Sequence, residues 1–179
     1  MADVVDEFIE QWRAERPDLR LDAMASIGRL GRVMGLGTRV IEATLQRHDL
    51  RLSDFDVLAT LRRLGPPYVA APSRVTQSLM LSPATLTSRL DRLENMGLVE
   101  RRADPEDRRS LLVALTDAGF DRVDAAVTDH VETEEEILGV LTAKQRRSLD
   151  DALSTLLQSL ESGPDPARDI ANRTRNDRS

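Results

Sequence analysis

Residues 82–119 read SPATLTSRLDRLENMGLVERRADPEDRRSLLVALTDAG, and the changes of pattern inside this stretch decide the fold. Ser82-Pro83 is a helix start. The serine hydroxyl can accept from a free N–H of the first turn, and proline's fixed φ suits the first helical position, where its missing N–H costs nothing. Leu86, Leu90 and Leu93 then recur at helical spacing, and Gly97 is the usual residue just past a helix end. From Leu98 the period changes. Leu98-Val99-Glu100-Arg101 and Ser110-Leu111-Leu112-Val113-Ala114-Leu115 read as two strands. The polar segment 102–109 between them contains Pro105 and predicts a β-hairpin with a charged tip.

Working upstream, Ser53 is a suitable N-cap for a helix through Leu64, with Phe55, Val57, Leu58 and Leu61 inside. Gly65-Pro66-Pro67 ends it and forces an extended link. A short helix over 73–80 then precedes the Ser82 helix. Further out, Val4, Val5, Phe8, Ile9 and Trp12 predict an amphipathic helix over 3–16, stopped by Pro17. A longer helix follows over about 22–48. Gly28, Gly31 and Gly35 share one of its faces, and each costs about 1 kcal/mol relative to Ala in a helix interior. Close approach of another helix, floor space for a ligand, or a weak and bent helix are the three readings. Downstream, Thr116 starts a helix with Phe120, Val123 and Val127. Thr142 and Gln145 form a capping box, and the last helix carries Leu149, Leu153, Leu156, Leu157 and Leu160 on one stripe. The polar remainder after Ser162-Gly163-Pro164 is expected to be a disordered tail.

The expected fold is therefore mainly α with a small β-hairpin wing, a winged helix-turn-helix. Its expected regions are N-terminal helices over 1–52, a DNA-reading lobe over 53–115, C-terminal helices over 116–162 and a tail over 163–179. The length of 179 residues suits one domain. Apolar residues make up 40% and aromatics only 3%, which favours a core of packed helices. Cysteine is absent, which excludes disulfides, thiolate zinc sites, Cys nucleophiles and thiol redox sensing. The two histidines, His48 and His130, read as surface or satisfied polar residues. The sequence offers no nucleophile–base pair, phosphate loop or metal-ligand cluster, so no enzyme, cofactor or metal is expected. No apolar run approaches the ~20 residues of a membrane helix. The acidic start lacks a secretory signal, so a cytoplasmic protein is expected.

Net charge is −6, which by itself argues against a nucleic-acid partner. Its distribution points the other way. Residues 58–115 carry 9 Arg against 6 acids, inside an otherwise acidic chain. A local footprint matters more than the overall charge for a DNA-binding patch. The Ser82 helix offers Ser82, Thr85, Thr87, Ser88, Arg89 and Arg92. Short hydroxyls and Arg can reach base edges and phosphates in a major groove. The hairpin tip offers Arg108 and Arg109 for an adjacent minor groove, whose negative potential attracts Arg. The acidic run Glu132-Thr133-Glu134-Glu135-Glu136 reads as a solvated helix face.

The stretch 82–119 resembles the MarR family of bacterial transcriptional regulators. Asp107-Arg108-Arg109 followed by Leu115-Thr116 and, after two residues, Gly119 carries the resemblance, which extends over about 22–160. It implies a homodimer whose terminal helices form the interface and whose winged lobes read a pseudo-palindromic duplex. One departure is visible: the first helix of the motif reads Arg74-Val75-Thr76-Gln77 where Leu-Ala is usual. The urate- and phenolate-responsive branch, of PecS-like and HucR-like regulators, is more similar still. It has an extra N-terminal helix with a Trp, an early acid in the helix after the dimerisation helix, and an Arg in the recognition helix. The matching residues are Trp12, Asp56 and Arg89, and the resemblance implies that they bind a small aromatic acid, urate- or salicylate-like. On the residues alone, Trp12 stacks on a flat ligand or anchors a terminal helix. Asp56 serves a pocket or the helix dipole, and Arg89 pairs with an anion or touches phosphate. The expected function is a repressor released from its operator by such an anion. The alternatives are a winged-helix regulator without a small effector and a winged-helix module that binds protein.

Overall fold

A computed structural model describes residues 2–105 and 110–162. The chain divides into two compact units, Met1–Glu134 and Glu135–Ser179. The first begins with helix α1 (Val4–Glu15), whose N-cap Asp3 accepts from the backbone N–H groups of Val5 and Asp6. Val5 and Ile9 bury one face of α1 with Leu21. Arg29 of α2 (Asp22–Gln46) pairs with Asp3 and Asp6 and ties the two helices together. Only one of the three shared-face glycines answers to close helix approach. A Cβ at Gly28 would lie 3.4 Å from Val5 Cγ1, whereas Gly31 and Gly35 have nothing within 4 Å. On α2, Ile27, Val33, Met34 and Val40 stay exposed.

The central lobe follows as α3 (Leu52–Arg63), β1 (Val69–Ala70), α4 (Pro72–Leu79), α5 (Pro83–Asn95), β2 (Val99–Ala103) and β3 (Leu111–Leu115). Helix α3 starts one residue before Ser53, with Arg51 as N-cap. The cap contact comes from Asp54, whose carboxylate accepts the Arg51 N–H at 3.4 Å. The strands form an antiparallel sheet in the order β1-β3-β2, with Val69 opposite Ala114 and Val99 opposite Leu115. Strand β1 is too short to show a period, and it lies in the link that the sequence marks only as extended. The core sits among α2, α3, α4, α5, β3 and α6 (Asp117–Leu138), with Leu45, Leu58, Leu61, Val75, Leu93, Val113 and Val123 buried. Each such side chain contributes about 1.5–3 kcal/mol relative to exposure. Inside this unit Thr44 and Thr133 are buried together, their hydroxyls 2.8 Å apart. Thr133 is thus the one inward residue of a run whose glutamates at 132 and 134–136 are exposed.

The second unit contains the end of α6 and helix α7 (Ala143–Ser162). Thr142 and Gln145 form the expected box: the Thr142 N–H donates to Gln145 Oε1 at 2.9 Å, and the Gln145 N–H donates to Thr142 Oγ1 at 3.3 Å. Arg146 bonds the Leu138 carbonyl and pairs with Glu135. The leucine stripe of α7 from Leu149 to Leu160 is exposed. Among the described residues, no helix is long and apolar enough to cross a membrane.

Candidate nucleic-acid interface

Helix α4, the Met80–Leu81 turn and α5 form the helix-turn-helix. Met80 takes a left-handed backbone (φ 50°), which turns the chain into the cap of α5. Ser82 caps α5 as the sequence predicts: its Oγ accepts the Thr85 N–H at 3.1 Å and lies 2.8 Å from Thr85 Oγ1. Leu86, Leu90 and Leu93 face the core. Ser82, Thr85 and Ser88 are exposed on one side of α5, whereas Thr87, two residues from Thr85, is exposed on another side, beside α4 and β3. Thr87 Oγ1 donates to the Pro83 carbonyl at 2.9 Å.

The two arginines of α5 behave differently. Both are half-buried and turn toward the start of α3. Arg92 Nε donates to Asp54 Oδ2 at 2.9 Å, and Arg89 Nη1 donates to the Ser53 carbonyl at 3.4 Å. Other cations of the lobe are also engaged: Arg101 pairs with Asp91 and Glu94, and Arg102 with Glu100. Arg74 is exposed and, among the described residues, pairs with no carboxylate. The first helix of such a motif crosses the phosphate backbone, which makes Arg74 a phosphate-contact candidate that the sequence reading passed over. Its signal was present: a cation in place of the usual apolar residue.

The wing joins directly to α5. Gly97 (φ +70°) ends the helix turn, and β2 pairs with β3 up to Ala103 opposite Leu111. Arg108 and Arg109 lie outside the described residues. The base of the wing is fixed by Thr116, whose Oγ1 donates to the Gly97 carbonyl at 2.7 Å and accepts the Gly119 N–H at 3.0 Å.

Of the three residues expected at a ligand site, Asp56 and Arg89 belong to the central lobe, on α3 and α5, and Trp12 does not. Asp56 lies half-buried on α3; burial pushes its carboxyl above the usual value, while the charges of Arg89 and His130 oppose that rise. His130 packs at a tilt of 48° against Phe55, their ring centroids 4.6 Å apart. Its Nε2 lies 3.2 Å from Glu134 and its buried Nδ1 has no partner among the described residues. His48 Nε2 lies 2.9 Å from Asp129 Oδ2. Trp12 lies elsewhere, 46% exposed, in an open groove of about 610 Å³ along α1 and α2. Val5, Phe8, Met24, Gly28 and Arg32 line that groove with it; Asp56 and Arg89 do not.

A hydroxyl-bearing helix after a tight turn, flanked by an antiparallel wing, defines a winged helix-turn-helix DNA-binding regulator. The comparisons with known proteins agree. A profile described as MarR family matches residues 50–111. The HTH-type transcriptional regulator PecS of Dickeya dadantii is 43% identical over 145 residues, covering 81% of this chain and 87% of that protein. A MarR mutant from E. coli complexed with operator DNA superposes with a TM-score of 0.69 at 27% identity, covering 78% of this chain and 99% of that one. AbsC, a MarR family transcriptional regulator from Streptomyces coelicolor, gives 0.72 at 25% identity over 81% and 99%. The chain belongs to the MarR family.

Proposed function

We propose that this chain is a cytoplasmic, homodimeric repressor that binds a pseudo-palindromic operator and leaves it when a small aromatic anion binds. The observation that carries the DNA half of this reading is the exposed set of Ser82, Thr85 and Ser88 on one side of α5, the second helix of a helix-turn-helix that runs on into the wing. The role is binding rather than catalysis. The dimer is supported by two apolar faces that the chain leaves exposed, one on α2 and one on α7. Burying them against a second copy removes that surface from water, the dominant favourable term in association. Two exposed lobes then meet two half-sites about one helical turn apart.

The effector half rests on Asp56 and Arg89. An anion placed beside Arg89 competes with the Ser53 carbonyl for its guanidinium, and so acts on the recognition helix itself. Such a ligand changes DNA affinity only by the difference in its affinity for the two conformations. The placement of Trp12 in a separate groove favours, as the second reading, a regulator without a small effector. The test is a titration of urate, salicylate and related aromatic acids, following Trp12 fluorescence and release of labelled operator DNA in parallel. Release by any of them, lost in Arg89→Ala, supports the effector. Neither quenching nor release at millimolar concentration leaves the regulator without one.

A further inference from the structure

We propose that Asp54 is a positioning residue for DNA reading, holding the recognition helix at its working rotation through Arg92. Asp54 is 1% exposed, and a carboxylate taken so far out of water is costly unless paired. Its cation comes from α5, 38 residues further along the chain: Arg92 Nε donates to Oδ2 at 2.9 Å. The same oxygen accepts the Arg51 N–H at the start of α3. One turn earlier on α5, Arg89 donates to the carbonyl of Ser53, the residue beside Asp54. Two points on one side of α5 are thus fastened to two consecutive residues of α3.

This attachment does what the leucine face cannot. Packing of Leu86, Leu90 and Leu93 is non-directional, so it resists separation of the helices more than small rotations about the helix axis. A charge-assisted hydrogen bond to a guanidinium is directional and short. Rotation matters here because Ser82, Thr85 and Ser88 are short side chains. Hydrogen bonds weaken steeply with misalignment, so a short hydroxyl meets a base edge only in a narrow range of helix angles. Arg92 is therefore assigned to the scaffold, and the discrimination between sequences depends on Asp54 without Asp54 approaching DNA.

The inference rests on the DNA-binding reading, and its test separates the two. The full-length wild type selects a duplex from a random library; selection of none refutes DNA reading itself. Affinities for the selected duplex and for an unrelated duplex are then measured by anisotropy across a salt series. Asp54→Asn and Arg92→Gln are each expected to weaken the selected duplex roughly tenfold, and the double variant no further than either single one. Affinity for the unrelated duplex stays within about twofold, and the salt slope stays unchanged, because no phosphate contact is lost. Loss on both duplexes with a slope lower by ~1 in Arg92→Gln assigns Arg92 to phosphate and overturns the proposal. Additive losses, or unaltered discrimination, overturn it too. Should Asp54→Asn fail to fold by circular dichroism, the ratio of the two affinities for Arg92→Gln decides by the same criteria.

Discussion

Gly119→Ala puts the packing at the base of the wing to a sharp test. A Cβ built at Gly119 falls 1.8 Å from the Leu98 carbonyl oxygen and 2.8 Å from its carbon. An ordinary C···O contact is about 3.3 Å or more, so the backbone must open by roughly 1.5 Å. The opposing atoms are main chain and are held: the Leu98 carbonyl accepts the Thr116 N–H at 3.2 Å, and Thr116 Oγ1 donates to Gly97. Overpacking of this kind costs about 1–3 kcal/mol where side chains can adjust, and a clash of backbone lies at or beyond the upper end. Helix propensity acts in the other direction, since Ala in a helix is favoured over Gly by about 1 kcal/mol. The net expectation is a loss of about 2 kcal/mol or more, roughly 4–8 °C in Tm for a chain of this size. Thermal unfolding followed by circular dichroism reads it directly. A Tm equal to or above that of the wild type would show that propensity wins, and would refute the close approach as the reason for glycine here.

Three further outcomes are expected. Arg108→Ala and Arg109→Ala should each cost about 1–3 kcal/mol of operator binding with some loss of A·T preference if they enter a minor groove; unchanged affinity in both removes the wing from the interface. Leu156→Glu, on the exposed stripe of α7, should shift the protein to monomer in sedimentation, and wild type that is already monomeric at micromolar concentration would sink the dimer. Burial holds the Asp56 proton in the folded chain to a higher pH than in the unfolded chain. The stability linked to it is therefore full at low pH and falls as pH rises from the usual carboxylate value through the raised one. Urea midpoints of Asp56→Asn should lack that fall, and identical pH profiles for variant and wild type would contradict it.

The parts of this protein legible in the sequence are those that depend on near neighbours. Ser82-Pro83 starts α5 because a cap and a first-turn proline act within three residues, and Gly97 ends the helix turn because its φ of +70° suits glycine. The apolar run of β3 and the capping box of Thr142 with Gln145 are equally local. The resemblance to regulators rested on the same stretch. Other features needed the folded chain. The cap of α3 lies at Arg51 rather than Ser53, with Asp54 accepting the Arg51 N–H while it also meets Arg92 from α5. Strand β1 exists only because β3 lies beside it. Trp12, Asp56 and Arg89 look equivalent as a list of residues, yet only the last two belong to the central lobe, while Trp12 lines a groove along α1 and α2. Most of all, an arginine on a recognition helix has several ways to point. A periodic pattern sets which face of a helix it occupies. Which way its long side chain turns is set by the buried charge that the fold brings within reach, and for Arg92 that charge lies 38 residues away.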